Sequence, residues 1–104
     1  MLRMVSRTFL NAIRTTDVVG RWGGEEFMAV FPGVDEETLT MVSERMRMLV
    51  EMAAVRIDGL ELRVTVSAGV TLVLPDETVN DMIRRADRLL YQSKSEGRNR
   101  VSRG

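Results

Sequence analysis

Residues 14–33 read RTTDVVGRWGGEEFMAVFPG. Two apolar runs, Val18 to Trp22 and Phe27 to Phe31, flank the pair Gly23-Gly24. Glycine enters positive-φ turn conformations without steric cost, so the segment is expected to be a tight β-hairpin. Its second strand opens with two adjacent carboxylates, Glu25 and Glu26. Successive strand residues point to opposite faces, so only one of the two can easily face a given ligand. Taken alone, the segment also reads as an ordinary turn with solvated charges.

Working outward from the hairpin, Leu2, Val5, Phe9 and Ile13 recur at helical spacing and predict an amphipathic helix ending near Thr15. After Pro32 and Gly33 a second helix is expected, capped by Asp35 or a neighbour. Its buried face would carry Leu39, Val42, Met46, Leu49 and Val50, with its methionines read as core filler. Val55 and Ile57 lead to Asp58-Gly59. Val64, Val66, Ala68, Val70, Leu72 and Leu74 then alternate as in a long, half-buried central strand.

Thr78 and Asp81 resemble a capping box for a third helix with an apolar face of Val79, Met82, Ile83, Ala86, Leu89 and Leu90. Gly97 stands where a C-terminal cap belongs, and Val101 is read as the start of a short last strand. The order predicts one α+β domain in which helices flank a mainly antiparallel sheet.

The length of 104 residues allows a single core, and 44% hydrophobic with 29% charged residues is the balance of a soluble globular protein. Without cysteine or histidine the chain has no disulfide, no thiolate or imidazole metal site, and no Ser-His or Cys-His catalysis. A metal would have to be held by carboxylates, which favour hard ions such as magnesium. Fifteen basic and fifteen acidic residues cancel, so no overall field draws the chain to a nucleic acid polymer or an anionic membrane. The polar residues Arg3, Ser6, Arg7 and Asn11 break the N-terminal apolar stripe and exclude a signal peptide or membrane span there. A cytoplasmic location is expected.

Lys94 and Arg98 read as one turn apart at the end of the third helix, where cations suit the helix dipole. They could instead grip the phosphates of a nucleotide. Arg14 and Asp17 frame the break before the hairpin, as a local ion bridge or as a site in which arginine binds a guanine edge or a phosphate.

Taken together, these blocks resemble the GGDEF domain of diguanylate cyclases. The family signature is matched by Gly23-Gly24-Glu25-Glu26-Phe27, with glutamate as an accepted variant at its third position. The segments RTTDVVGRWGGEEFMAVFPG, VTVSAGVTLV and ADRLLYQSKSEGRNRV follow the family's order and spacing. The resemblance implies a nucleotide-cyclase, palm-like fold and the condensation of two GTP into cyclic di-GMP with loss of pyrophosphate. It implies that Gly23 and Gly24 line the nucleotide site and that Glu25 ligates Mg2+ (or Mn2+) and helps to deprotonate the attacking hydroxyl. Glu26 would support the metal, and Lys94 and Arg98 would contact the terminal phosphates of GTP. Each domain would present one GTP, so a homodimer is implied for catalysis. Arg14 and Asp17 match the spacing of the family's inhibitory Arg-x-x-Asp motif, and Arg45 resembles a further arginine that reaches bound product.

The resemblance also places upstream a strand with a metal-binding aspartate, a phenylalanine-lysine pair, and asparagine and aspartate residues that read guanine. None of these is in the present sequence, so residues 1–104 are read as one N-terminally truncated GGDEF domain with weak activity or none by itself. The alternative readings are a non-catalytic cyclic di-GMP receptor acting through Arg14 and Asp17, and an inert dimerisation remnant.

Overall fold

The computed structural model describes residues 5, 7–9, 17–23 and 26–104, with the backbone alone at 18, 19, 21–23 and 55. Its elements are β1 (Val18–Gly23), β2 (Glu26–Val30), α1 (Glu36–Met52), β3 (Val55–Ile57), β4 (Leu60–Leu62), β5 (Ala68–Val70), α2 (Val79–Ser95) and β6 (Val101–Arg103). Val5 and residues 7–9 are helical too, as the N-terminal periodicity predicts. Leu2 and Ile13, the outer members of that stripe, lie outside the described residues. The strands form three two-stranded ladders, of which β1–β2 and β3–β4 are antiparallel and β5–β6 is parallel. The α+β class and the mainly antiparallel pairing agree with the sequence reading.

The core joins distant parts of the chain. Val5, Phe9, Met46 and Val50 form its buried centre, and Phe27, Phe31, Val42, Val64 and Val66 pack around it. Phe9 meets Phe27 edge to face, with ring centroids 5.4 Å apart, an arrangement that suits the opposed charge of ring edge and ring face. Val50 is fully buried, and removing such a side chain from water is worth roughly 1.5–3 kcal/mol. The second strand of the hairpin is thereby fastened, through Phe27, to the core that the N-terminal helical residues and α1 build.

Helix α1 begins as expected. Asp35 Oδ1 accepts from the Thr38 amide at 2.7 Å, and this bond holds the Asp35 carboxyl below its usual pKa. Leu39, Met46 and Val50 are buried, with Ser43 among them donating to the Leu39 carbonyl. The other methionines correct the reading of core filler. Met41, Met48 and Met52 are 64%, 48% and 69% exposed, because the helical repeat carries them away from the stripe that includes Met46.

Asp58 and Gly59 both have positive φ, +52° and +80°, and close the β3–β4 hairpin as a two-residue turn whose twist matches its strands. The long strand expected over residues 64–74 is regular only at Ala68–Val70. A ladder extends only as far as its partner offers donors and acceptors, and β6 pairs with those three positions alone. Leu74, expected on the buried side, is exposed.

Helix α2 is capped by Thr78, whose Oγ1 accepts from the Asp81 amide at 3.1 Å, so the predicted cap is in place. Its face toward β5 works because residue 69 is glycine: a Cβ there would collide with the backbone of Ala86 and Leu90. Ser93, fully buried, donates to the Ala68 carbonyl at 2.7 Å and lies 2.6 Å from Ser102 Oγ, tying α2 to both β5 and β6. Val79, assigned to the apolar face, is instead 66% exposed at the first helical position.

Candidate functional site

The hairpin that carries the signature has an irregular tip. Arg21 pairs with Phe27, but Gly23 pairs with Glu26, so Trp22 is an extra residue on β1. Such a bulge bends its strand and increases the local twist, changing the direction in which the flanking residues project. Gly23 is the last residue of β1 and Glu26 the first of β2, where Glu26 is exposed. Gly24 and Glu25 lie outside the described residues.

Lys94 is exposed near the end of α2. Arg98, read from sequence as a further turn of that helix, is not helical. The helix stops at Ser95, Gly97 takes φ +119°, and Arg98 and Asn99 follow with φ +64° and +49°. The Arg98 amide bonds back to the Ser93 carbonyl at 3.0 Å, the six-to-one bond of a Schellman cap, so the predicted role of Gly97 holds. Arg98 is therefore presented from a left-handed turn directly after the helix that bears Lys94. Both cations are exposed.

The residues expected to bind product are on other elements. Asp17 immediately precedes β1 and is buried at 9% exposure, whereas Arg45 lies exposed on α1. Arg14 lies outside the described residues.

Among the described residues no group of three or more acidic side chains could hold a metal ion. Glu25, the expected ligand, is not among them, and Glu26 alone does not make a metal site.

Two polar clusters escaped the sequence reading. Arg47 joins Glu44 and Glu51 on α1 to Asn99 beyond α2. Arg85 joins Glu77, Thr71 and the Leu72 carbonyl. The spacing of Glu44, Arg47 and Glu51 announces a helical ion-pair set. No local signal announces Asn99 as a fourth member, 52 positions beyond Arg47.

The family described as "Diguanylate cyclase, GGDEF domain" matches residues 1–100. Diguanylate cyclase A of Treponema denticola is 36% identical over 98% of this chain, which spans 28% of that protein. Among solved structures, the diguanylate cyclase SiaD of Pseudomonas aeruginosa, in complex with its activator SiaC, superposes with a TM-score of 0.92 at 36% identity. That match covers 96% of this chain and 38% of SiaD. The GGDEF domain of DgcB from Caulobacter crescentus, in complex with c-di-GMP, gives a TM-score of 0.92 at 30% identity, covering 98% of this chain and 61% of that one. The family match spans nearly the whole chain, and the chain belongs to the GGDEF domain family. Among the described residues no helix is long and apolar enough to cross a membrane.

Proposed function

We propose that the protein containing this domain is a diguanylate cyclase, which joins two GTP molecules into cyclic di-GMP and releases two pyrophosphates. The observation that supports this most is the intact signature Gly23-Gly24-Glu25-Glu26-Phe27 on the β1–β2 hairpin, accompanied by Lys94 and Arg98 at the end of α2. Each ribose hydroxyl attacks the α-phosphorus of the other nucleotide while the P–O bond to pyrophosphate breaks. Glu25 assists removal of the hydroxyl proton, and Gly23 and Gly24 let the phosphates approach the hairpin backbone closely. Lys94 and Arg98 neutralise the terminal phosphates, where negative charge accumulates as pyrophosphate leaves. Glu25, supported by Glu26, is the carboxylate to hold magnesium, which when bound would supply further charge neutralisation.

Two nucleotides in opposed orientation require two domains, so the active form is a homodimer, in the cytoplasm where GTP is available. The full-length protein incubated with GTP and magnesium is expected to produce cyclic di-GMP, detected by chromatography, and Glu25→Ala is expected to abolish it. Absence of product from a dimeric, folded full-length protein would overturn this reading.

A second reading concerns Arg14, Asp17 and Arg45 as a site for the product. The exposure of Arg45 on α1 favours it, since that guanidinium is open to an incoming phosphate. Such a site would give feedback inhibition in an active cyclase and a receptor function in an inactive one.

A further inference from the structure

Arg47 is 16% exposed and firmly held. Its Nε and Nη2 donate to Glu44 Oε2 at 3.2 and 3.0 Å, and its Nη1 donates to Glu51 Oε2 at 2.7 Å. Two carboxylates one turn to either side on α1 thus fix the guanidinium plane. From that position Nη1 also donates to Asn99 Oδ1 at 2.9 Å, linking α1 to the turn that follows α2.

That turn needs support. Gly97, Arg98 and Asn99 have φ values of +119°, +64° and +49°. A side chain at left-handed φ crowds its own carbonyl, so two such residues in succession persist only where surrounding bonds over-determine them. The Arg98 amide is held by the Ser93 carbonyl, the Asn99 amide by Ser67 Oγ at 3.2 Å, and the Arg100 carbonyl by the Ala68 amide at 2.9 Å. The side chain of Asn99 is held by Arg47. The residue clamped between these anchors is Arg98, whose own side chain is exposed.

We infer that Arg47, acting through Asn99, is a positioning residue for the terminal phosphates of GTP, because it fixes the left-handed turn from which Arg98 reaches them. The inference rests on the proposed role of Arg98 as a phosphate contact. A guanidinium fork bonds phosphate oxygens in a narrow range of directions, so a turn free to shift would cost affinity even with Arg98 intact. Arg47 touches no substrate in this account.

The test is a mutant cycle in the full-length protein, titrated with a non-hydrolysable GTP analogue and magnesium, with folding checked by circular dichroism. Arg98→Ala, Arg47→Met, Asn99→Gly and the double variant Arg47→Met/Arg98→Ala are compared. Asn99→Gly removes the acceptor while leaving the left-handed turn accessible and Arg47 paired with its carboxylates, so it reports on the contact even if Arg47→Met fails to fold. Asn99→Gly and Arg47→Met are each expected to weaken binding about 3- to 10-fold, the worth of one such hydrogen bond. In the Arg98→Ala background Arg47→Met is expected to add nothing, whereas a general structural defect would weaken binding by the same factor in both backgrounds. Wild-type affinity in Asn99→Gly, or full additivity in the double variant, would overturn the positioning role while the phosphate role of Arg98 stood. Wild-type affinity in Arg98→Ala would instead remove the phosphate role itself, and this inference with it.

Discussion

Arg85 grips Glu77 with both arms of its guanidinium, Nη1 donating to Oε2 and Nη2 to Oε1, the latter at 2.7 Å. The same guanidinium donates to Thr71 Oγ1 at 2.7 Å and to the Leu72 carbonyl at 2.8 Å. The Leu74 amide donates to Glu77 Oε1 at 2.9 Å. Segment 71–77, which has no regular strand or helix of its own, is thereby fastened to the first half of α2.

This arrangement gives a pH dependence with a definite sign. The bonds from Arg85, and then from the Leu74 amide, hold the Glu77 carboxyl below its ordinary value of 4.5. With the folded pKa below the unfolded one, the pair stabilises the fold above the unfolded value, and that contribution is lost as pH falls through the folded value. Arg85→Met is expected to melt below the parent at pH 7, with the gap narrowing, to what the bonds to Thr71 and Leu72 contribute, as the pH is taken below the ordinary carboxylate range. Melting temperatures of both proteins across that range check it, and a gap independent of pH would contradict the account.

Gly69→Ala is expected to be among the most damaging single changes in the domain. The added methyl has no space between β5 and α2, where the obstacle is the backbone of Ala86 and Leu90 and not a movable side chain. The cost is expected to be about 3 kcal/mol, the upper part of the range for overpacking. Urea unfolding, with the midpoint lowered and the slope unchanged, is the measurement.

The two cations after the signature are expected to act on substrate binding and not on folding. Lys94→Ala and Arg98→Ala remove exposed charges, so melting temperature should scarcely move. Each is expected to weaken a non-hydrolysable GTP analogue by about tenfold or more, the scale of one charge-assisted hydrogen bond. Titration calorimetry separates this from Glu25→Ala, in which loss of turnover is expected to exceed loss of affinity.

For the product site, Arg14→Ala is expected to relieve inhibition of the full-length protein by cyclic di-GMP, and Arg45→Ala to do so in part. Initial rates measured against added product decide it. Unchanged inhibition in Arg14→Ala would remove the Arg-x-x-Asp reading.

Much of the fold was legible because its signals are local. The caps at Asp35 and Thr78, the turn at Asp58-Gly59 and the stop at Gly97 depend on residues within a few positions of one another. The apolar stripe through Leu39, Met46 and Val50 follows from helical period alone. The family signature was legible in the same way, since Gly23-Gly24-Glu25-Glu26-Phe27 is contiguous.

What the amino-acid sequence by itself determined about this protein is the order of its elements, their caps and turns, and membership of the GGDEF family through contiguous motifs. Tertiary structure alone decided which methionines are covered, how much of residues 64–74 forms a ladder, and that Arg98 leaves α2 from a left-handed turn. It alone decided too that Arg47 is bonded to Asn99 and Arg85 to Glu77. The reason is physical: caps and turns are set by bonds spanning three or four residues, whereas burial, strand pairing and the aim of a guanidinium depend on partners that only the folded chain brings within reach.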